Sequence, residues 1–201
     1  MVDVQLDFCP GGALPVPHGD TVIPPINRLL QSATAKNNPV IATRDWHPPN
    51  SAHFTTGGGA WPPHCVADTP GAAFHPSLRI PPTAIVVSKG RTATEDGYSG
   101  FDGTDNVGSS LRSVLELHGV NGVLVCGLAT DYCVRATALD ASRCGIATFV
   151  VSDAIAAVEL HEGDGQAALQ EMRDAGVRLV DTNRAQQLLV NAVGEDLTLR
   201  Q

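Results

Sequence analysis

The chain has 201 residues, 43% of them hydrophobic, and a formal net charge of −8. This length suits one domain with a substantial core. The acidic balance argues against nucleic acid or an anionic membrane as a partner. No apolar run approaches membrane-span length and the start does not read as a signal peptide, so a cytoplasmic setting is expected. Five cysteines (Cys9, Cys65, Cys126, Cys133 and Cys144) without a tight framework read as thiols.

Residues 1–8 open as a strand that ends in a turn at Cys9-Pro-Gly-Gly. Only two residues precede Asp3, fewer than a strand of about five or six residues needs, so either the start is clipped or the numbering begins inside the strand. Residues 20–35 carry Val22, Ile23, Ile26, Leu29 and Leu30 near helical spacing, with Pro24 and Pro25 in the first turn. Residues 39–43 read as a short buried strand. From Arg44 to about Pro82 runs a long loop rich in Pro, Gly, His and Trp. A loop of that length in a compact domain is usually functional. Residues 84–89 are a strand ending at Lys89, one of only two lysines against eleven arginines. A Gly/Ser/Thr-rich loop leads to a helix over 107–118.

An apolar strand over 123–127 follows, then a helix over 130–143, started by Thr130 and Asp131 as N-cap types. Cys133 falls in its first turn. There the helix dipole and free N–H groups are expected to depress its pKa toward thiolate, and the same N–H groups can hold an oxyanion. A strand over 146–151, a polar loop with Asp153, a helix over 161–175, residues 177–180, a helix over 183–193 and a polar tail over 195–201 complete the chain. Strands alternating with helices predict a parallel sheet covered on both faces. Ligands of such folds bind beyond the C-terminal strand ends. Asp3, Asp45, Lys89 and Cys133 all fall there.

Three groups carry chemistry. Asp45, His47, His53 and His64 lie on one loop and supply enough N and O ligands for a divalent metal; zinc, iron and manganese all suit them. Asp3, Lys89 and Cys133 fit a thiol nucleophile with a cation and a proton carrier. On spacing alone, an Asp–Lys ion pair at a sheet edge fits equally well. Phe8, Trp61 and Tyr98 follow strand ends and can wall a flat ring.

Read in order, Val2-Asp-Val-Gln-Leu-Asp-Phe, Arg44-Asp-Trp-His, His53-Phe, Trp61-Pro-Pro-His-Cys, Lys89-Gly, Tyr98-Ser-Gly-Phe and Gly127-Leu-Ala-Thr-Asp-Tyr-Cys-Val-Arg resemble the nicotinamidase/pyrazinamidases among the isochorismatase-like cysteine hydrolases. The resemblance spans almost the whole chain. It implies a three-layer αβα fold with a mostly parallel, Rossmann-like six-stranded sheet, as one domain over 1–201 with the metal-binding loop at about 44–82. It implies Asp3, Lys89 and Cys133 as catalytic residues, and Ala129 and Cys133 N–H groups as the oxyanion hole. Asp45, His47, His53 and His64 become ligands of one divalent transition metal. Phe8, Trp61, Tyr98 and Leu128 become the substrate pocket, Asp7 a second, non-catalytic acid, and Leu128–Ala129 a cis peptide. The expected activity is hydrolysis of a small amide, nicotinamide or pyrazinamide, through a Cys thioester. The alternatives are another cysteine amidohydrolase of the same superfamily, or a hydrolase using metal-bound hydroxide. The sequence leaves the oligomeric state open.

Overall fold

A computed structural model describes residues 1–191. Five strands and five α-helices follow in the order α1 (Ile23–Ala35), β1 (Ile41–Asp45), β2 (Ile85–Lys89), α2 (Leu111–Leu117), β3 (Gly122–Leu128), α3 (Arg135–Arg143), β4 (Ala147–Ala156), α4 (Asp164–Asp174), β5 (Arg178–Val180) and α5 (Thr182–Asn191), alternating except that β1 and β2 are joined by the long loop without an α-helix. The expected last helix over 183–193 and the tail over 195–201 run past the described residues. No helix among the described residues is long and apolar enough to cross a membrane.

All strand pairs are parallel. β1 runs beside β2 in a register that sets Asp45 opposite Lys89. β3, β4 and β5 form a second sheet in that order. The six-stranded sheet expected from sequence is therefore met only in part. The first strand is reduced to Val2, which bridges Thr43 on one side and Gly127 on the other. After Val2 the backbone turns away, with Asp3 at φ 48°. Residues 6–8 then coil into a 3₁₀ turn rather than a strand. Gln5 compensates for the lost pairing. Its buried side-chain amide donates to the Asp45 and Ala72 carbonyls (2.8 and 3.0 Å) and accepts from the Asp45 N–H (2.8 Å).

The helices cover the strands because their apolar stripes leave them no alternative. Ile23, Ile26, Leu29, Leu30 and Ala33 of α1 are buried, the first four in one cluster with Cys126, Leu128, Val151 and Ala185. Ala138 and Leu139 of α3 and Met172 of α4 pack with Val125 and Val150 in another. Each fully buried Ile or Leu adds about 1.5–3 kcal/mol, so these faces dominate the fold's stability.

Several boundaries differ from the periodicity reading. α2 starts only at Leu111, because Ser110 caps it by accepting the Ser113 N–H and leaves Val107 outside, 80% exposed. α4 likewise starts at Asp164. β4 runs on through Asp153, whose carboxylate accepts the N–H and hydroxyl of Thr182 (2.8 and 2.9 Å) and so anchors the start of α5.

Candidate active site

The topology gathers the C-terminal strand ends. Asp45 ends β1, Lys89 ends β2, Asp3 follows the Val2 bridge, and β3 ends at Leu128. The Leu128–Ala129 peptide is cis. A π-helical turn over Thr130–Val134 follows and leads into α3, so the expected single helix over 130–143 is two segments. Thr130 and Asp131 do not cap it with their side chains. Asp131 instead accepts the N–H groups of Val158 and Glu159 (both 2.9 Å), pinning the loop after β4. The Ala129 carbonyl accepts from Tyr132 and Val134 N–H groups (3.1 and 3.0 Å), which closes the turn around Cys133.

Asp3, Lys89 and Cys133 come together in the interior. The Lys89 ammonium is fully buried. It lies 2.8 Å from Asp3 Oδ2 and 3.4 Å from Cys133 Sγ, and it also bonds Asp45 Oδ1 and the Gly97 carbonyl. Asp3 Oδ1 accepts the Thr43 hydroxyl (2.6 Å). Asp3 Oδ2 is close to Lys89 but makes no aligned hydrogen bond. That contact is Coulombic, and the oxygen remains free to exchange a proton.

Burial and charge set the protonation states. Burial alone would discharge Lys89, but Asp3 and Asp45 outweigh it and keep it cationic. Burial also opposes the Asp45 carboxylate, yet Lys89 and His47 hold its pKa below the usual range. Asp3 is raised, chiefly by burial and against the pull of Lys89. The Cys133 thiol is pushed well up by burial, which Lys89 only partly offsets and to which Asp3 adds. This corrects the expectation of a thiolate from helix position alone. In a dry pocket beside two carboxylates, desolvation outweighs the dipole, so the resting group is a thiol with a base beside it.

The loop after β1 carries the second cluster. His47, His53 and His64 are buried, and one ring nitrogen of each lies within 4.8 Å of the others. Every Nδ1 faces an acceptor: the Gly90 carbonyl for His47 (3.1 Å), Asp96 for His53 (3.2 Å) and the Pro62 carbonyl for His64 (2.8 Å). Such acceptors select the Nδ1–H tautomer and leave each Nε2 lone pair available. His47 Nε2 is buried without a partner. Asp45 Oδ2 lies 3.7 Å from His47 Nε2 and 4.0 Å from His64 Nε2. Burial keeps His53 low and lowers His64 to about 4, so both rings are neutral near pH 7. Converging imidazoles, an orphaned buried nitrogen and a carboxylate fit a divalent metal.

A small cavity opens above Cys133, walled by Phe8, Leu14, Trp61, Tyr98, Tyr132 and Val158. Cys133, Asp45, His53 and His64 also border it. Trp61 Nε1 donates to the Tyr98 hydroxyl (3.0 Å), and Tyr132 meets Trp61 edge-on with centroids 5.0 Å apart. Phe8, Trp61 and Tyr98 line this cavity. Leu128 lies outside the lining, in the core cluster with Val16, Ile23 and Leu29. Leu14, Tyr132 and Val158 were missed. Tyr132, next to Cys133 and aromatic like the other walls, was the one with a readable signal. Asp7 ties the loops together, accepting the Cys65 N–H (2.7 Å) and the Ala13 N–H (3.1 Å).

A parallel α/β fold with a thiol, lysine and carboxylate buried at its strand ends defines a class of hydrolase. The Isochorismatase domain matches residues 1–184, and the chain belongs to that family. Within it, the chain is 46% identical over 183 residues to the nicotinamidase/pyrazinamidase of Mycobacterium tuberculosis, covering 90% of this chain and 96% of that one. The pyrazinamidase of Pyrococcus horikoshii, solved in complex with zinc, superposes with a TM-score of 0.83 at 42% identity, covering 90% and 96%. L. infantum PnC1, solved in complex with nicotinate, gives 0.76 at 38% identity, covering 91% of each chain.

Proposed function

We propose that this protein is a nicotinamidase that hydrolyses nicotinamide, and also pyrazinamide, to the acid and ammonia. The observation that carries the reading is the Lys89–Cys133 contact of 3.4 Å, with Asp3 in the same buried cluster, under an aromatic cavity that borders the histidine cluster. The relatives' names and the nicotinate and zinc structures support the same reading.

In the proposed chemistry, the Asp3 carboxylate takes the Cys133 thiol proton as Sγ attacks the carboxamide carbon. A base is needed because burial keeps the thiol protonated. The N–H groups of Ala129 and Cys133 take up the developing oxyanion. Asp3 then passes its proton to the amide nitrogen, the C–N bond breaks and ammonia leaves a thioester. Water attacks the thioester while Asp3 takes its proton. The C–S bond breaks, the acid leaves, and the proton returns to sulfur. Lys89 keeps its charge throughout and balances whichever of Asp3 and Cys133 is anionic. Asp45, His47, His53 and His64 would hold one divalent ion, zinc, iron or manganese, which supplies an electrophilic anchor for the ring nitrogen. The aromatic walls take the ring itself.

The same reading makes residues 1–201 one domain with its metal loop at about 44–82, working in the cytoplasm on a small amide. The experiment is ammonia release from nicotinamide before and after chelation, with Cys133→Ala beside it. Release that chelation removes and metal restores, and that Cys133→Ala abolishes, is expected. Turnover that survives in Cys133→Ala would end the covalent mechanism.

A further inference from the structure

Asp131 sits in the turn that carries Cys133, and it is buried. No step of the proposed chemistry uses it. A carboxylate is costly to bury unless its oxygens are paired. Both oxygens of Asp131 are paired, and both point away from the nucleophile. Oδ1 accepts the Val158 N–H and Oδ2 the Glu159 N–H, each at 2.9 Å, across 27 and 28 residues of chain. The turn around Cys133 does not need them, because the Ala129 carbonyl closes it through the Tyr132 and Val134 N–H groups.

The segment that Asp131 holds has little else to fix it. Residues 158–163 lie between the end of β4 and the start of α4. Among the described residues, no other hydrogen bond joins them to the protein outside this segment and α4. Within that unit the Glu159 carboxylate accepts the Gly163 and Gly165 N–H groups (2.8 and 2.9 Å), so the bend and the helix start move as one piece. Glu159 itself sits at φ 55°. A non-glycine residue keeps such a backbone only where its surroundings impose it, and the two N–H groups drawn to Asp131 do so here. Val158 is the residue of this segment that borders the cavity above Cys133.

We propose that Asp131 is a positioning residue: it holds Val158 as a fixed wall of the substrate pocket, and that wall limits the width of the ring that can reach Cys133. The inference deepens the amidase reading and rests on it for the identity of the substrate. It makes the preferred substrates flat single-ring carboxamides without bulky ring substituents. Each N–H held by a buried carboxylate favours the held state by about tenfold or more, so two of them leave the wall released in about one molecule in a hundred or fewer. The turn and the wall are separable, because the bonds that close the turn are not the bonds that hold the wall. Loosening the wall should therefore cost ring binding and selectivity while the nucleophile stays in place.

The test is Asp131→Asn, which keeps the size and one acceptor but turns an NH₂ group toward one of the two N–H donors. The KM for nicotinamide is expected to rise about tenfold, with kcat within about threefold of wild type. Alkylation of Cys133, followed by peptide mass in the resting protein, supplies a second readout that needs no substrate. Iodoacetamide is compared with N-(1-naphthyl)iodoacetamide, whose ring system is wider than one pyridine. The ratio of the naphthyl rate to the small-reagent rate should rise at least about fivefold in Asp131→Asn, since a released wall admits the wider ring. General destabilisation lowers the melting temperature without favouring the wider reagent. Val158→Ala keeps the anchor and shortens the wall, and should raise the same ratio even if Asp131→Asn fails to fold. A ratio unchanged in either folded variant would overturn the inference, as would a fall in kcat at constant KM, which would place Asp131 in the nucleophile turn instead. Wild-type protein that releases no ammonia would end the amidase reading and leave the alkylation ratio to decide the wall.

Discussion

Replacing Asp3 by Asn separates the two things that Asp3 does to Cys133. The carboxylate is fully buried, 2.8 Å from Lys89 Nζ through Oδ2, and holds the Thr43 hydroxyl through Oδ1. Asn keeps the shape and one acceptor, and Asp45 still neutralises Lys89. The fold should therefore survive, at a cost of about 1–3 kcal/mol for the imperfect pairing. Turnover should not survive. Losing a positioned base costs about 10²–10⁴ in rate, or roughly 2.7–5.5 kcal/mol on the barrier. The thiol should respond in the opposite sense. After burial, Asp3 is one of the groups that holds the Cys133 thiol up, and Lys89 is the group that pulls it down. Without Asp3 the pull of Lys89 is opposed by one carboxylate fewer, so the thiol ionises more readily. Iodoacetamide alkylation of Cys133 against pH, with the metal content of both proteins matched, reads this directly. The alkylation midpoint should move down while ammonia release collapses. A midpoint that stays or rises, or turnover within tenfold of wild type, would refute the assignment of Asp3 as base.

Acid should destabilise the chelated protein well above the carboxylate range. His64 titrates near 6.5 unfolded and about 4 folded, so between these values the unfolded chain binds more protons and stability falls as pH drops. The loss is about 3 kcal/mol by pH 4, and His64→Gln should flatten that part of a denaturation-against-pH curve. Asp96, 70% exposed, touches His53 Nδ1 and orients that ring, so Asp96→Ala should weaken metal affinity about 10–100-fold in a chelator competition. Affinity within threefold of wild type would remove Asp96 from the site. Gly127 has φ +120°, and an added Cβ would lie 1.9 Å from the Val2 carbonyl. Gly127→Ala should therefore cost at least about 3 kcal/mol in chemical denaturation, with loss of turnover because Asp3 follows Val2.

The parts of the site legible in the sequence are those whose position follows from local pattern. Apolar runs end at Asp45, Lys89 and Leu128, and parallel sheets place such ends together. The three loop histidines were legible because ligand types cluster within one segment. What escaped depends on depth and on long-range register. Whether Cys133 is a thiol or a thiolate is decided by desolvation, which no helix position reveals. Leu128 follows a turn glycine and borders the nucleophile in sequence, yet its side chain points into the core. Gln5 looks like any polar strand residue until its amide is seen to replace a missing stretch of backbone pairing along β1.

Asp45 is the sharpest instance, because its neighbours in sequence suggest only one role. Two residues before His47, it reads as a metal ligand and nothing more. The β1–β2 register then sets it opposite Lys89, forty-four residues away. Its Oδ1 faces the lysine and its Oδ2 faces His47 and His64. One carboxylate thus belongs to both clusters, and what draws charge from one side changes what is left for the other. A cation drawn to Oδ2 weakens the hold of Oδ1 on Lys89, and a less neutralised Lys89 pulls harder on the Cys133 thiol 3.4 Å away. Chelation should therefore raise the alkylation midpoint of Cys133 even with no substrate present. A midpoint that does not move on chelation would show the two clusters to be neighbours without electrostatic coupling.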